Sequence, residues 1–504
     1  MSIQTVLSKL QANESAAIDR LIDWLKIPSI STVPAHGPDV RQAAEWAADQ
    51  IRQSGLIVQI METGDRRPAP PSGATPARGS GHPIVMAFTD QSDADAWRAG
   101  KPAAKSPSGN PHTLFYGHYD VQPADPLELW ESPPFEPVIR EPRGSEDGGQ
   151  RIVARGAVDD KGQVMMFLEA LRAWKEVSGK PAGGLRLTVL LEGEEESGSA
   201  NLDRFCRDHA PQLKSCDYCL ISDTSMLSRE QPAITYGVRG LAYTEVVLHG
   251  ADQDLHSGLW GGRAPNPNAE LCKVLAQLWD AHGRVTIPGF YDSVRPLGAD
   301  ERAAWKKLPF SAADALRKIG LPPEADEWGG QERGYSAMER EWARPTAEIN
   351  GMSGGYTGQG AKTVIPAKAF AKVSFRLVAD QDPARITESF FAWCRDRTPM
   401  GCRWEFINHS GGHPATVRTD SPYLRAATRA IKAATGKEAV LIKSGGSIPV
   451  AGMLKAVADL DTVFMGFGLD DDRVHSPNEK FELACYRMGA RSHAILIDEL
   501  LKMG

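Results

Sequence analysis

Histidine and acidic residues recur at the ends of apolar segments of this chain, and these residue types bind divalent metals. The first group is His118 and Asp120, at the end of the apolar run 113–119. Side chains alternate along a strand, so both residues are expected on one face. A histidine beside a carboxylate is typical of a metal ligand with its orienting group. A hydrogen-bonded surface pair explains the same spacing, and this group alone does not decide between them.

Two adjacent aspartates form the second group. Asp159 and Asp160 lie between Gly156 and Gly162, just before a segment with helical periodicity. One interpretation is a solvated turn whose acids cap the helix. The other is a carboxylate that bridges two cations. The residues of this segment leave both interpretations open.

The densest acidic group follows an apolar strand. Glu192, Glu194, Glu195 and Glu196 occupy four of five consecutive positions after the run 185–191. Such a run is often only a solvated face. A strand this apolar, however, should end inside the protein, where a cluster of carboxylates requires cations.

Two single residues complete the candidate set. Asp223 ends the apolar run 218–222, and His475 lies in the segment Val474–Glu479. Together with the three groups they supply oxygen and nitrogen donors of the kind that Zn²⁺ and Mn²⁺ accept, without any thiolate. The sequence therefore predicts a two-metal centre.

Strands and helices that must position these residues alternate along the chain. Apolar or alternating runs predict strands, and apolar residues at helical spacing predict helices. The alternation favours an α/β fold with a central sheet covered by helices, in which a site lies at the carboxyl ends of the strands. The predicted strands are 82–88, 113–119, 185–191 and 218–222, and the predicted helices include 15–26, 163–176, 421–434 and 485–503.

The length of 504 residues exceeds what one hydrophobic core usually supports, so more than one domain is expected. The pattern changes near Tyr236, where a region of mixed strands and helices begins. We predict a catalytic domain formed by residues 1–233 and 416–504, with an inserted α+β lid and dimerisation domain at 234–415. The segment 64–81, rich in proline and glycine, predicts a surface loop or insertion of no assigned role. The segment 292–347 gives no prediction.

Composition narrows the class of protein. Lys and Arg total 57 against 64 Asp and Glu, and no basic stripe is present, so nucleic acid is not an expected partner. No run approaches the length of a membrane span, and the first ten residues do not resemble a secretion signal. Seven cysteines in so long a chain suit reduced thiols. A cytoplasmic protein without membrane association is expected.

These motifs, in this order, resemble the M20 family of metallopeptidases, in particular its cytosolic dipeptidase and carnosinase branch. The resemblance extends from the first helix to the last. The segments that carry it are His118–Asp120, Gly156–Gly162, Glu195–Ser199, Ser222–Asp223, Tyr236–Gly240, Asp254–Gly258, Gly360–Pro366, Gly445–Pro449 and His475–Ser476.

The resemblance implies a centre of two divalent ions, Zn²⁺ or Mn²⁺. One aspartate of this centre bridges both ions, and a cis peptide bond follows it, between Asp159 and Asp160. The implied ligands are His118 and Asp223 for one ion, Glu196 and His475 for the other, and Asp159 for both.

The resemblance also implies roles for two further residues of this centre. Asp120 would hold the ring of His118, and Glu195 would act as the general base. Because Glu194, Glu195 and Glu196 are consecutive, the assignment is ambiguous by one residue. The spacing to the segment 197–199 favours Glu195.

Four further residues are implied in substrate binding, three of them in the inserted domain and Ser447 in the second part of the catalytic domain. His256 resembles a histidine that reaches the site of a neighbouring subunit and stabilises an oxyanion there, which implies a homodimer. Arg376 resembles a residue that binds the substrate carboxylate, and a guanidinium can donate two parallel hydrogen bonds to a carboxylate. Thr363 and Ser447 are expected to add hydrogen bonds.

The expected function is hydrolysis of the amide bond of dipeptides or small peptides with a free C-terminal carboxylate. One alternative is an N-acyl amino acid deacylase or desuccinylase of the same family, which shares the metals and differs in the pocket. A second, of another class, is a noncatalytic scaffold that keeps the fold, but such a protein has no need of Glu195. The sequence does not select the exact substrate or the native metal.

Overall fold

A computed structural model describes residues 2–64, 81–104, 109–142, 149–328 and 332–504. Most of the segment 64–81, for which a surface loop is predicted, lies outside these described residues, as do residues 329–331. Contacts divide the chain into two compact units. The first unit comprises 1–236, 417–442 and 453–504, and the second comprises 237–416 and 443–452.

A mixed sheet forms the centre of the first unit. Thr113–His118 runs parallel to its neighbours Leu187–Glu192 and Tyr218–Ile221, with His118 paired to Glu192 and Tyr116 to Ile221. The carboxyl ends of these strands therefore meet at one edge, next to Asp223. The strand order is Ile57–Met61, Ile84–Phe88, Leu187–Glu192, Thr113–His118, Tyr218–Ile221, Thr462–Phe464, Ala233–Val238 and Ala415–Thr416, and Val440–Ser444 also pairs with Ala233–Val238.

Long helices cover this sheet. Lys161–Ser178 is buried on every side from its first residue to Trp174, and it packs against the last helix, Leu483–Leu501. The helix Lys161–Ser178 is capped by Gly179, which adopts the left-handed conformation that favours glycine. The other helices of this unit are Ile3–Ala12, Glu14–Leu25, Gly37–Gln53, Gln91–Arg98, Leu202–Asp208, Ala210–Leu213 and Pro422–Thr435, and Pro449–Ala458 begins in the second unit and ends in the first.

A small antiparallel sheet joins distant parts of the first unit. Arg151–Val153 pairs with Val138–Arg140 on one side and with Lys480–Glu482 on the other. This pairing holds the segment before Asp159 next to the segment after His475. The sequence contains no periodicity that predicts such short strands.

The second unit has its own sheet and core. Its four antiparallel strands place Val373, Phe375 and Leu377 on the buried face, in alternation with Ser374 and Arg376. The strand order is Thr346–Gly354, Lys368–Leu377, Gly240–His249 and Arg403–Gly412, and the shorter strands are Leu255–His256, Val364–Ile365 and Ala415–Thr416. The helices are Ser257–Trp260, Pro267–Leu275, Ala299–Trp305, Ala312–Lys318, Ala325–Trp328, Ala337–Ala343 and Pro383–Arg395.

The segment 443–452 belongs to the second unit, whereas the sequence placed it with 416–504. Hydrogen bonds account for this position. The backbone N–H of Arg239 donates to the carbonyl of Gly446 at 3.0 Å, and its Nε donates to the carbonyl of Gly445 at 2.8 Å. Arg376 donates to Ser447 at 2.9 Å.

The predicted fold class, a central sheet covered by helices with an inserted α+β region, is confirmed. The predicted elements are also found, with ends shifted by a few residues. No helix in the described part of the chain is long and apolar enough to cross a bilayer. The helix predicted at 15–26 is Glu14–Leu25, that at 163–176 is Lys161–Ser178, and the strand predicted at 185–191 is Leu187–Glu192.

Candidate metal centre

The loop that carries the adjacent aspartates packs tightly against the start of a helix. A Cβ atom added to Gly162 would lie 1.9 Å from the carbonyl oxygen of Ala157, so this contact requires glycine. The peptide bond between Asp159 and Asp160 is cis, as the family resemblance implies. Oδ2 of Asp160 accepts from the backbone N–H of His118 at 3.2 Å, which binds this carboxylate to the neighbouring strand. Asp159 is left to face the site.

A first group of possible ligands consists of His118, Asp159 and Asp223. Nε2 of His118 lies 3.1 Å from Oδ1 of Asp159 and 3.8 Å from Oδ2 of Asp223. The His118 side chain is fully buried. One ligand atom from each residue lies within 4.8 Å of the others, a spacing suited to one metal ion.

A second group consists of Asp159, Glu196 and His475. Nε2 of His475 lies 2.9 Å from Oδ2 of Asp159 and 3.2 Å from Oε2 of Glu196. Asp159 is thus common to both groups, and it offers a different oxygen to each histidine. This is the arrangement expected of a carboxylate that bridges two cations.

The ring of His118 supports this interpretation. Its Nδ1 lies 3.1 Å from the backbone oxygen of Asp120 and 3.4 Å from Oδ1 of the same residue, so Nδ1 is the nitrogen placed to carry the proton. Its Nε2 is buried and has no hydrogen-bond partner of good geometry among the described residues. A nitrogen lone pair facing carboxylate oxygens is unfavourable unless a cation lies between them. The donor set fits Zn²⁺ or Mn²⁺.

The centre carries an excess of negative charge, as the pKa values of its residues indicate. Burial, followed by the charge of Asp159, raises the pKa of Asp223 to about 7. Hydrogen bonds to Asp159 and then to Glu196 raise the pKa of His475 to about 10. Protons are therefore held strongly where carboxylates crowd together, and a divalent cation would satisfy the same demand.

Asp120 organises the loop that carries the glutamates. Its Oδ1 accepts from the backbone N–H of Glu195 at 3.3 Å, and its Oδ2 accepts from that of Glu196 at 3.1 Å. The hydroxyl of Ser31 donates to the same Oδ2 at 2.6 Å. The fully buried Asp120 thus contacts both the His118 ring and the short 3₁₀ helix Glu195–Ser197.

The three consecutive glutamates have different surroundings. Glu194 accepts from the backbone N–H of His82 at 2.7 Å and from that of Asn201 at 3.0 Å, so its carboxylate is occupied in holding loops together. Glu196 belongs to the second ligand group. Glu195 belongs to neither group. Burial raises the pKa of Glu195 well above its usual range, with His118 opposing and nearby carboxylates adding to the shift.

His256 and Thr363 lie side by side in the second unit. The strand Leu255–His256 pairs with Val364–Ile365, which directly follows Thr363, and the carbonyl of Thr363 accepts from the N–H of Ser257 at 3.1 Å. Nδ1 of His256 accepts from the backbone N–H of Gly258 at 3.0 Å, so the neutral ring carries its proton on Nε2. The His256 residue is exposed, and this N–H is directed away from its own turn.

Arg376 and Ser447 form another pair of the second unit. The half-buried guanidinium donates from one NH to the hydroxyl of Ser447 at 2.9 Å. Burial lowers the pKa of Arg376. No carboxylate of the described residues forms an ion pair with it. A partly desolvated guanidinium without an acid attracts an anion.

Two residues that contact the centre were not assigned a role from the sequence. Nε2 of Gln122 donates to Oε2 of Glu196 at 2.7 Å. Extending the alternation His118, Asp120 by one step would have indicated Gln122. Glu479 contacts the loop before Asp159 through several hydrogen bonds. Its position shortly after His475 was visible, but no pattern in the sequence reveals which loop it contacts.

Known proteins are similar to this chain in sequence and in structure. The model of the Peptidase family M20/M25/M40 matches residues 114–499. A Cys-Gly metallodipeptidase of Saccharomyces cerevisiae is 30% identical over 98% of this chain and 97% of its own length. A Beta-Ala-His dipeptidase of Mus musculus is 28% identical over 99% of this chain and 96% of its own. The solved structure of a dipeptidase from Saccharomyces cerevisiae has a TM-score of 0.79 at 29% identity, covering 99% of each chain.

Proposed function

This chain belongs to the Peptidase family M20/M25/M40, and from that premise we propose that it is a dipeptidase with two divalent metal ions. Its substrates are dipeptides, or similarly small peptides, with a free C-terminal carboxylate. The observation that carries the proposal is the carboxylate of Asp159, which faces His118 with one oxygen and His475 with the other. The similar proteins are named dipeptidases, which favours this activity over deacylation of N-acyl amino acids.

The two ligand groups would each hold one ion. His118 and Asp223 would bind the first and Glu196 and His475 the second, with Asp159 shared. Ions held in this way would polarise the scissile carbonyl and lower the pKa of a water molecule toward neutrality. Zn²⁺ and Mn²⁺ both accept imidazole and carboxylate ligands. The close spacing of these carboxylates favours the binding of two divalent ions over the binding of one.

Glu195 is proposed as the general base. Its carboxylate is neither a member of a ligand group nor occupied by loop amides, unlike the carboxylates of Glu196 and Glu194. Burial among other acids raises its proton affinity, and bound cations would bring the pKa back toward neutrality. Glu195 would accept a proton from the attacking water and deliver it to the leaving amine.

Arg376 is proposed to bind the C-terminal carboxylate of the substrate. Ser447 takes up one NH of the guanidinium, which fixes the plane of the fork. The remaining N–H groups are available to an anion. A free carboxylate on the substrate is therefore expected, because an amide would leave the half-buried cation without a partner.

The protein is proposed to act as a homodimer in which His256 of one copy serves the metal centre of the other. The Nε2–H of the neutral ring is a donor suited to an oxyanion. Leu259 and Trp260, which follow it, are 67% and 41% exposed. Large apolar side chains exposed next to a polar donor are typical of an interface.

The test compares substrates that differ by one group. Metal-reconstituted protein would be assayed with Gly-Leu, its C-terminal amide, and N-acetyl-leucine. We expect cleavage of the dipeptide, and a loss of at least about 100-fold in kcat/KM for the amide, which lacks the partner of Arg376. Faster cleavage of N-acetyl-leucine than of any dipeptide would assign deacylation instead.

A variant pair tests the base. Glu195→Gln should lower kcat by about 100-fold to 10,000-fold while the protein keeps its metals. Glu194→Gln is the matched control, because it alters the neighbouring carboxylate that holds loops only. The control should lower thermal stability and keep most of kcat. Equal losses of kcat in both variants would remove the assignment of Glu195.

A further inference from the structure

Glu479 is a fully buried carboxylate with no role in the proposed chemistry. Both of its oxygens accept hydrogen bonds from one loop. Oε2 accepts from Arg155 at 2.7 Å and from the backbone N–H of Gly156 at 3.0 Å. Oε1 accepts from the backbone N–H groups of Val158 and Asp159, at 3.0 Å and 3.2 Å. One carboxylate therefore holds the loop Arg155–Asp159 at four points.

These hydrogen bonds act on the residue common to both ligand groups. The loop is buried, and its N–H groups would lose their partner if the Glu479 carboxylate were removed. The last donor is the backbone N–H of Asp159 itself. Moving that N–H displaces the Cα of Asp159 and so the direction of its carboxylate. A buried carboxylate that accepts several amide donors also locks their orientation more strongly than neutral acceptors do.

Glu479 is also anchored to the loop of His475. Arg473, His475 and Asn478 all have positive φ values, of 57°, 60° and 62°, which non-glycine residues adopt only when contacts hold them. The Glu479 carbonyl accepts from the N–H of Ala154 at 3.1 Å, in the small antiparallel sheet. The backbone of Glu479 thus belongs to one ligand loop while its side chain binds the other.

We propose that Glu479 is a positioning residue that sets the distance between Asp159 and His475, and with it the affinity of the centre for a divalent ion. This inference rests on the proposed function in one respect only, that Asp159 and His475 bind the same ion. The alternative role for Glu479 is that of a purely structural ion pair with Arg155. A structural pair would affect the stability of the fold and leave metal affinity unchanged.

Glu479→Gln is the sharpest variant. Glutamine has the same shape, but its NH₂ group would face either Arg155 and Gly156 or Val158 and Asp159, all of which are donors. The dissociation constant for Zn²⁺ would be measured by competition with a colorimetric chelator on the full-length protein. We expect binding to weaken by about 10-fold to 100-fold.

Glu169→Gln is the matched control. Glu169 is also a buried carboxylate paired with an arginine, since it accepts from Nε of Arg20 at 2.7 Å and from an NH group of Arg20 at 2.6 Å. It lies on the helix Lys161–Ser178 and bonds no backbone amide of a ligand loop. This control should lose stability while its Zn²⁺ dissociation constant stays within about twofold of the wild type.

Two further measurements cover the case in which Glu479→Gln does not fold. Glu479→Asp keeps the charge and the partner Arg155, and withdraws the oxygens by one methylene. It should fold and still bind Zn²⁺ at least about 10-fold more weakly. Hydrogen exchange of the amides of Gly156, Val158 and Asp159 should also be faster in Glu479→Asp than in the control Glu169→Gln.

Distinct outcomes separate the inference from the proposed function. Equal Zn²⁺ affinity in wild type, Glu479→Asp and Glu169→Gln would overturn the inference and leave the dipeptidase proposal intact. Wild-type protein that binds Zn²⁺ but cleaves no dipeptide would remove the proposed function, and the affinity comparison would still decide the role of Glu479. A wild type that binds no divalent ion would remove both.

Discussion

Oδ2 of Asp159 lies 2.9 Å from Nε2 of His475, and the other oxygen of the same carboxylate faces His118 at 3.1 Å. A single side chain thus connects two loops that are far apart in the sequence. If Asp159 holds two ions, its loss should affect both sites together, whereas the loss of Asp223 should affect mainly one.

Removal of metal should destabilise the fold. Without cations, the carboxylates of Asp159, Glu196 and Asp223 remain buried close together, and their repulsion is compensated only by protons. A ligand that binds only the native state at 100 times its dissociation constant stabilises it by about 2.7 kcal/mol. We expect chelation to lower the melting temperature, and Zn²⁺ or Mn²⁺ to restore it. Asp159→Asn should abolish this restoration, and an unchanged response in that variant would contradict the shared role of Asp159.

Asp120→Asn should weaken metal binding more than Ser31→Ala. Asparagine would place an NH₂ group against the backbone N–H of either Glu195 or Glu196, and it would weaken the hold on His118. We expect a loss of about 10-fold to 100-fold in metal affinity for Asp120→Asn. Ser31→Ala removes one hydrogen bond and should cost about 1 kcal/mol of stability with little change in affinity. The reverse order, measured by chelator competition, would contradict the role given to Asp120.

Arg376→Met should raise KM strongly and lower the stability of the fold only slightly. The guanidinium pairs with no acid of the described residues, so the folded protein loses little beyond the hydrogen bond to Ser447. The substrate, in contrast, loses a charged partner for its carboxylate, which predicts a rise of about 100-fold in KM for dipeptides. Ser447→Ala, which leaves the guanidinium in place, should give a smaller rise. Kinetics with a dipeptide series and a melting curve for each variant check this prediction.

Two inactive variants should restore activity when combined, if His256 acts on the neighbouring copy. In a mixed dimer of Glu195→Gln and His256→Ala, one site has the intact base of one copy and the intact histidine of the other. Co-expression with two affinity tags would isolate this mixed dimer. We expect it to recover up to about half of the wild-type rate, as one of its two sites is complete. No recovery would mean that His256 acts within its own chain, whereas an active His256→Ala homodimer would mean that His256 has no role.

His493 should make the protein sensitive to acid. Burial lowers its pKa to about 3, and its Nε2 lies 2.9 Å from the hydroxyl of Ser222. The folded-state pKa is below the unfolded value of about 6.5, so its contribution to stability is complete above pH 6.5 and is lost as the pH falls toward 3. By linkage this loss is about 3 kcal/mol between pH 7 and pH 4. His493→Phe should flatten this part of the stability curve, as measured by urea unfolding at several pH values.

Four of the five proposed ligands, all except His475, stand out in the sequence because they follow an apolar strand or precede a strongly periodic helix. The carboxyl ends of these strands were the expected place of a site, and the parallel pairing brings the ends at His118, Glu192 and Asp223 to one edge of the sheet. The family motif then distinguished Asp159 from Asp160. The geometry adds the reason, since Asp160 accepts from the backbone of His118 and Asp159 does not.

Other features could not be predicted, because they depend on contacts between distant segments. Glu479 and Asp159 are 320 positions apart, and the three-residue strands that join their loops show no periodicity. Four helices within the segment 292–347, Ala299–Trp305, Ala312–Lys318, Ala325–Trp328 and Ala337–Ala343, are seven residues or shorter. Helices of this length complete fewer than two turns, too little for an apolar stripe to be recognised.

The most direct measurement follows the rate of dipeptide hydrolysis as Zn²⁺ or Mn²⁺ is titrated into metal-free protein, with the ions bound per chain counted by mass spectrometry of the native protein. We expect no hydrolysis without metal, full activity at two ions per chain, and neither tight binding of the two ions nor activity in Asp159→Asn. Hydrolysis by the metal-free protein, or full activity in Asp159→Asn, would contradict a metal centre bridged by Asp159.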